Sequence, residues 1–517
     1  MEKIIGRNIK KSFGDRLLFS IPELKIEENE KVGIVGNNGT GKTTFLNIIA
    51  GEESVDKGKI EVNGSVSYMK QFDIVPTSYL SGGEKTNQRL YETLRQNASI
   101  LILDEPTNHL DIQKIKLLEE KLKKYKGTLL IVSHDRKLLD AICTSILEID
   151  RQQIKKYKGN YTAYQTQKQE EILRKQREYE QYIEERNRLE RSIKETKNSA
   201  SKVKKAPSRM GNSEARLHKR AAEEKKEKVE RHSKALATRL EKLEKKEKVV
   251  EFPPIIMKMP KEGECKSKYL ITADHITVSF GQKIILEDVS FQVENKEKLA
   301  FVGANGTGKT TLFRMIKEKA EKIKINPQVR LGYYSQELDG LQKQKTILQN
   351  VLEDSIQNEI TVRNVLARLL FQGDSVHKKV EDLSGGEKAK VAIAKLLVSD
   401  SNVLLLDEPT NFLDIPSLEA LENLIQNFCG TVVFSTHDRQ FVEKIATRVY
   451  EIEDKKIKEV EKEKTTEKKS KNENELLLLK MKMAEISSKI AFEKEEKVKV
   501  ELEKKYREIQ EKCRNME

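Results

Sequence analysis

A glycine-rich loop set between an apolar run and a helix occurs twice in this chain, and it constrains the fold more than any other feature. The first copy reads Val32-Gly33-Ile34-Val35-Gly36-Asn37-Asn38-Gly39-Thr40-Gly41-Lys42-Thr43-Thr44. The second reads Leu299-Ala300-Phe301-Val302-Gly303-Ala304-Asn305-Gly306-Thr307-Gly308-Lys309-Thr310-Thr311. Both match G-x-x-x-x-G-K-[ST] in a strand–loop–helix setting. Two further apolar runs, Ile100-Leu101-Ile102-Leu103 and Val403-Leu404-Leu405-Leu406, each lead into Asp-Glu-Pro-Thr-Asn. Unbroken apolar runs of strand length belong to parallel strands buried on both faces. The expected fold is therefore α/β, with two copies of one domain over residues 1–157 and 268–455.

The loops announce phosphate chemistry. Backbone N–H groups turn inward around phosphate oxygens, and the following helix points its positive end at them. Gly36 to Thr44 and Gly303 to Thr311 are thus candidate ATP-binding residues. Lys42 and Lys309 would reach the β- and γ-phosphates, and Thr43 and Thr310 would place a hydroxyl on Mg²⁺. Asp104 and Asp407 stand at strand ends, where open α/β sheets place their ligands, and would hold the metal through water. Gln71 and Gln336, each after a short strand, are further candidates for the metal. Glu105 and Glu408 would polarise the attacking water. His134 and His437 end a later strand in each copy and are expected to sense the γ-phosphate.

One more motif recurs: Leu80-Ser81-Gly82-Gly83-Glu84-Lys85 and Leu383-Ser384-Gly385-Gly386-Glu387-Lys388. Serine followed by glutamate three residues later is a capping box. Its repetition after two phosphate loops points to a second anion site, offered to a nucleotide held by the other copy.

Between the copies lies a charged segment over residues 158–252, rich in good helix formers. Breakers gather only near its centre, so two long antiparallel helices with a tip at about residues 196–213 are expected. Each arm of about 35 residues would span on the order of 50 Å. Lys202, Lys204, Lys205 and Arg209 in the tip suit a phosphate backbone, with Met210 beside them for a base or sugar. The net charge of +14 likewise suggests a polyanionic partner. The four cysteines form no Cys-x-x-Cys pair, which argues against a zinc site and fits a reducing cytosol. No apolar run approaches the roughly 18 residues of a membrane span, and the N-terminus carries no export signal. Residues 456–517 are expected to form a charged helical extension, with Leu476, Leu479, Met483, Ile486 and Ile490 at coiled-coil spacing.

Phosphate loop, glutamine, LSGGE, DEPT and histidine, in this order and twice over, resemble the ATP-binding cassette ATPases. Two cassettes with no membrane segment and a charged linker resemble the ABC-F subfamily. The resemblance implies head-to-tail closure within one monomer over two ATP molecules. Lys42, Glu105 and His134 would then share a nucleotide with Ser384, Gly385 and Gly386. Lys309, Glu408 and His437 would share the other with Ser81, Gly82 and Gly83. Phe13 and Phe280 would lie near the adenines. From Gln71 to Leu80 is nine positions and from Gln336 to Leu383 is 47, so the first cassette has lost most of a helical insertion that the second keeps over 346–371.

The long linker, the missing arm and the tail resemble the antibiotic-resistance (Vga/Vml-type) branch. Its members dock on the bacterial 70S ribosome at the tRNA exit site, facing 23S rRNA and the P-site tRNA. They counter lincosamides, pleuromutilins and streptogramin A. The nearest alternative is a housekeeping ABC-F translation factor with no drug role, although such members often carry a helical arm in the first cassette that this chain lacks, and an exporter ATPase would need a separate membrane partner. DNA-repair relatives would bring zinc cysteine pairs, which are missing, so no DNA partner is expected.

Overall fold

The computed structural model describes residues 2–14, 16–70, 82–96, 98–108, 110–201, 227–229, 231–246, 267–280, 283–335 and 340–460. One compact unit, residues 1–447 and 451–457, carries both cassettes. A second comprises 448–450 and 458–517, of which 448–450 and 458–460 are described, all as strand.

The first cassette is built on one nine-stranded sheet. From the edge strand Val66–Met69 inward to its centre, Val66–Met69, Ile100–Asp104, Thr128–Val132, Lys31–Gly36 and Ser145–Asp150 run parallel in that order. Ile100–Asp104 and Thr128–Val132 are buried along their whole length, as their unbroken apolar sequences require. An antiparallel pair, Glu2–Phe13 with Arg16–Glu27, flanks this centre. Apolar residues fill both faces of the sheet. Ile4, Phe19, Ile34 and Phe45 belong to one core and Leu103, Leu118, Ile131 and Leu139 to the other.

In the second cassette Leu331–Tyr334, Val403–Asp407, Thr431–Ser435 and Lys298–Gly303 repeat the parallel order. Lys283–Glu294, Tyr269–Phe280 and Ile323–Ile325 form a separate antiparallel sheet. The helical insertion stands where 346–371 was expected. Its helices are Ile347–Glu353, opened by a Thr346–Gln349 capping box, and Glu359–Arg368, capped by Asn358.

The linker begins with a 41-residue helix, Tyr161–Ser201. It runs past the expected start of the tip at 196, its backbone ladder continuing through Asn198 and Ser199 despite their weak helix propensity. A returning helix is described over 231–242, and Arg239 donates to Glu185 at 2.9 Å, which brings the two arms side by side. The tip residues Lys202, Lys204, Lys205 and Arg209, and the tail's apolar seam, lie outside the described residues. Among the described residues no helix is long and apolar enough to cross a membrane.

Candidate active site

Each phosphate loop ends on a helix whose first residue is the motif lysine: Lys42–Ile49 and Lys309–Lys317. The caps, Gly41 and Gly308, sit at φ of 94° and 98°, a left-handed geometry that a side chain would strain. Lys42 Nζ donates to the carbonyls of Gly36 and Asn37 at 2.8 and 3.0 Å. Lys309 Nζ donates to those of Gly303 and Ala304 at 2.7 and 3.0 Å. Burial lowers the pKa of both lysines, opposed by the nearby carboxylates. An anion in the loop would draw each ammonium off these carbonyls and favour its charged form.

The acids follow. Thr43 Oγ1 donates to Asp104 Oδ2 at 2.8 Å, so hydroxyl and carboxylate already converge. Burial holds the Asp104 pKa above its ordinary value. Asp407 accepts instead from Ser435 Oγ at 2.8 Å. Among the described residues no three His, Cys, Asp or Glu gather as a metal site. One hydroxyl and one carboxylate fit magnesium nonetheless, since it keeps most positions for phosphate oxygens and water. Gln71 and Gln336 lie outside the described residues.

Glu105 and Glu408 come next in the chain, both at φ 51°, a region rarely used by a residue with a side chain. Their N–H groups are tied to the neighbouring strand, at Val132 O (2.9 Å) and Ser435 O (3.1 Å), which holds the strained turn. The side chains meet the histidines: His134 Nε2 is 3.0 Å from Glu105 Oε1, and His437 Nε2 is 3.2 Å from Glu408 Oε1. The angles are poor for hydrogen bonding, and both oxygens of each carboxyl are buried without a hydrogen-bond partner. Burial pushes Glu105 up to about 8 and Glu408 up to about 7. It takes His134 down to about 3 and His437 down to about 4, each helped by the nearby lysine. Burial thus favours the protonated carboxyl and the neutral imidazole, and the unpartnered Nδ1 of each histidine and the buried carboxyl oxygens are poised to take up a hydrogen-bonding ligand.

The cassettes approach head to tail at the first loop. Asn38 N–H donates to Asp414 Oδ2 at 2.7 Å, and its side-chain amide donates to Phe412 O at 3.2 Å. Ser384 caps the helix Gly385–Val398 with a full capping box to Glu387. A methyl group on Gly386 would lie 2.5 Å from Phe412 O and 3.2 Å from the Asn38 amide, so only glycine fits between them. The structure therefore brings the second cassette's Gly386, in the first turn of the helix that Ser384 caps, to the first cassette's phosphate loop. At the second loop a cavity of about 520 Å³ is lined by Lys309, Thr310, Glu408 and His437, and by Asn108 and His134 of the first cassette. Its size suits a nucleotide. Gly82 opens the helix Gly82–Arg95, whereas Ser81 lies outside the described residues. Phe13 ends its strand 76% exposed, free to stack on a base; the Phe280 side chain lies outside the described residues.

Sequence reasoning missed Asp111 and Asp414. Each caps a helix, Ile112–Lys124 and Ile415–Gln426, and each bears electrostatically on the other cassette's lysine. Burial works against the Asp414 charge, but hydrogen bonds from Ser417 and Asn38 and the Lys390 charge hold its pKa below the usual range. The signal was present as Leu-Asp-Ile, repeated three residues after each Thr-Asn.

Known proteins share this arrangement. A sequence profile of the family described as ABC transporter matches residues 20–78 and 286–411, and a second of the same description matches 147–233. The chain is 35% identical to the erythromycin resistance ATP-binding protein MsrA of Staphylococcus epidermidis, over 85% of this chain and 96% of that protein. It is 30% identical to the ribosome protection protein VmlR of Bacillus subtilis, over 84% of each. Among solved structures, an archaeal ribosome recycling factor aABCE1, in complex with a stalk protein, matches with a TM-score of 0.58 at 19% identity. That match covers 86% of this chain and 87% of the other, and shows the two-cassette fold.

Proposed function

This chain belongs to the ABC transporter family, in its ABC-F subfamily of paired-cassette ATPases, and we propose that it protects the bacterial ribosome in the cytoplasm from peptidyl-transferase-centre antibiotics. The substrate is ATP, bound at two sites. Lys42 and Lys309 move from the loop carbonyls to the phosphates. Thr43 with Asp104, and Thr310 with Asp407, would hold a magnesium ion, which would supply positive charge to the phosphate oxygens. With ATP bound, the charge of Lys42 and Lys309 favours the Glu105 and Glu408 carboxylates, which would then take the proton of the attacking water, and the neutral His134 and His437 would hydrogen-bond the γ-phosphate.

The observation that carries the proposal is the root of the linker. Tyr157 and Tyr164 bond Glu148 at 3.1 and 2.8 Å, and Lys168 pairs with Glu148 at 2.7 Å, fixing the helix to the first cassette. One turn in, Gln165 Nε2 donates to Glu419 of the second cassette at 2.8 Å. The helix is thus held by both cassettes, and a change in their approach is transmitted along its length. We read ATP-driven closure as the event that docks the protein at the tRNA exit site. The basic tip Lys202, Lys204, Lys205 and Arg209 then meets 23S rRNA and the P-site tRNA and lowers drug affinity by displacing RNA, a coupling between distinct sites.

The similarity to a resistance protein and to a ribosome protection protein supports this reading. The test is to express the chain in a drug-sensitive bacterium beside Glu105→Gln with Glu408→Gln. Raised tolerance to a lincosamide, pleuromutilin or streptogramin A with the wild type alone supports protection. Ribosome association with no change in tolerance would leave a translation factor instead.

A further inference from the structure

The first cassette has a groove that the second lacks, and its lining is cationic. Helix Gly82–Arg95 and helix Ile112–Lys124 end side by side, enclosing about 740 Å³ of open groove. Arg95, Lys121, Lys124 and Lys126 line it with Tyr91 and Tyr125, and no carboxylate does. Lys121 Nζ lies 3.4 Å from the centre of the Tyr91 ring, which is itself 44% exposed. Arg95, Lys124 and Lys126 make no ion pair with any described residue.

Helix dipoles do not account for these charges. Each C-terminus carries roughly half a negative charge, so two ends call for about one cation, and four are present. The second cassette is an internal control. With Asp104 placed on Asp407, the positions of Tyr91, Arg95, Lys121, Lys124 and Lys126 fall on Ala394, Val398, Leu424, Asn427 and Cys429. No cation occurs there, and Ala394, Val398 and Leu424 are fully buried. Ile356, between the two insertion helices, donates its N–H to Val398 O at 3.1 Å, so the insertion covers this place. In the first cassette the equivalent positions are polar or charged, and all are exposed except the half-buried Lys121.

We propose that this groove is a docking surface for the sugar–phosphate backbone of structured RNA, with Tyr91 beneath an exposed base or ribose. The inference rests on the reading of a ribosome-binding protein for the identity of that RNA. Four cations without carboxylates match a polyanion, and a tyrosine among them offers the stacking face that RNA-binding surfaces use. An acidic protein would match the charge but has no use for the ring.

The test uses the full chain carrying R95Q, K124Q and K126Q, with the charge-keeping set R95K, K124R and K126R beside it. ATPase activity reports the fold. Binding of a fluorescein-labelled RNA hairpin is followed by anisotropy across a salt series. The glutamine set should bind roughly tenfold more weakly and lose about two units of slope in log affinity against log salt, at about 0.7–0.9 per charge. The charge-keeping set should restore both. In the Glu105→Gln, Glu408→Gln background the glutamine set should also leave ribosomes several-fold faster.

If that background is trapped on ribosomes and the glutamine set matches its parent in both assays, the groove proposal is wrong and the ribosome reading stands. If the background never binds ribosomes while hairpin binding still depends on the groove, the ribosome reading fails and the RNA surface stands. Groove-dependent binding of labelled polyglutamate in place of the hairpin would overturn the proposal in favour of an acidic protein.

Discussion

At the residue scale, Glu105 and Glu408 decide what the protein can do. Glu105→Gln with Glu408→Gln should cut ATP turnover by about 10²-fold or more, the usual loss with a general base. ATP binding should survive, and the variant should co-sediment with ribosomes in ATP; recovery in the soluble fraction would refute the docking model. The same carboxyls set a pH dependence. Their folded pKa values, about 8 and about 7, lie above the ordinary 4.5, so between those values the folded state holds protons that the unfolded state has lost. Stability therefore falls as pH rises through that window. The histidines, lowered to about 3 and about 4, add stability as pH rises, but only up to their ordinary 6.5. Above pH 6.5 the histidines no longer contribute, and the carboxyls lower stability as pH rises, Glu408 up to about 7 and Glu105 up to about 8. Thermal midpoints of nucleotide-free, magnesium-free protein should fall across this window, and the double glutamine variant should lose the slope. The catalytic acids were legible because strand, turn and repetition all single them out. Their shifted proton affinities were not, since burial beside His134 and Lys42 is a product of folding.

At the scale of elements, the linker helix matters most. Its pattern of helix formers was plain in the sequence, but its anchorage was not. The stretch holding Tyr157, Tyr161 and Tyr164 resembles the family's entry into the linker, but nothing local reveals that Glu148 and Glu419 wait on different cassettes. Glu419→Ala removes the acceptor for Gln165 and leaves the first-cassette anchors intact. Basal ATPase should change less than about twofold, because the lost bonds, from Gln165 at 2.8 Å and a long one from Tyr161 at 3.5 Å, are only partly buried and worth about 1 kcal/mol each at most. Drug protection should fall further, about fivefold, since the helix would no longer follow closure. Equal loss of both activities would show that Glu419 serves only to hold the cassettes together. The insertion of the second cassette was the easiest element to foresee, since Thr346 and Asn358 are strong caps and each opens a helix.

At the scale of the whole molecule, the two cassettes are joined by a reciprocal set of ion pairs that follow the catalytic histidines. Arg136, two residues after His134, pairs with Glu422 and lies 3.4 Å from Asp438 of the second cassette. Arg439, two residues after His437, reaches Glu119 at 3.4 Å and Asp135 at 3.7 Å of the first. The repeated His-Asp-Arg was visible, yet no single-cassette reading explains an arginine there; only the pairing of copies does. The two halves are unequal. The Arg136 side chain is fully buried, and although burial works against its charge, Glu422 and Asp438 hold its pKa above the ordinary value. The Arg439 side chain keeps 15% exposure and has longer contacts. Removing one partner of a buried pair leaves a stranded charge and costs about 3–5 kcal/mol, whereas exposed pairs are worth about 0–1 kcal/mol. Arg136→Ala should therefore lower stability by a few kcal/mol in chemical denaturation, with Lys444 at 2.9 Å from Glu422 softening the loss. Arg439→Ala should cost about 1 kcal/mol. Glu422→Gln in the Arg136→Ala background should recover part of the stability, because it removes the stranded carboxylate. Equal costs for the two arginines would mean that the cassettes are not held in this arrangement without nucleotide.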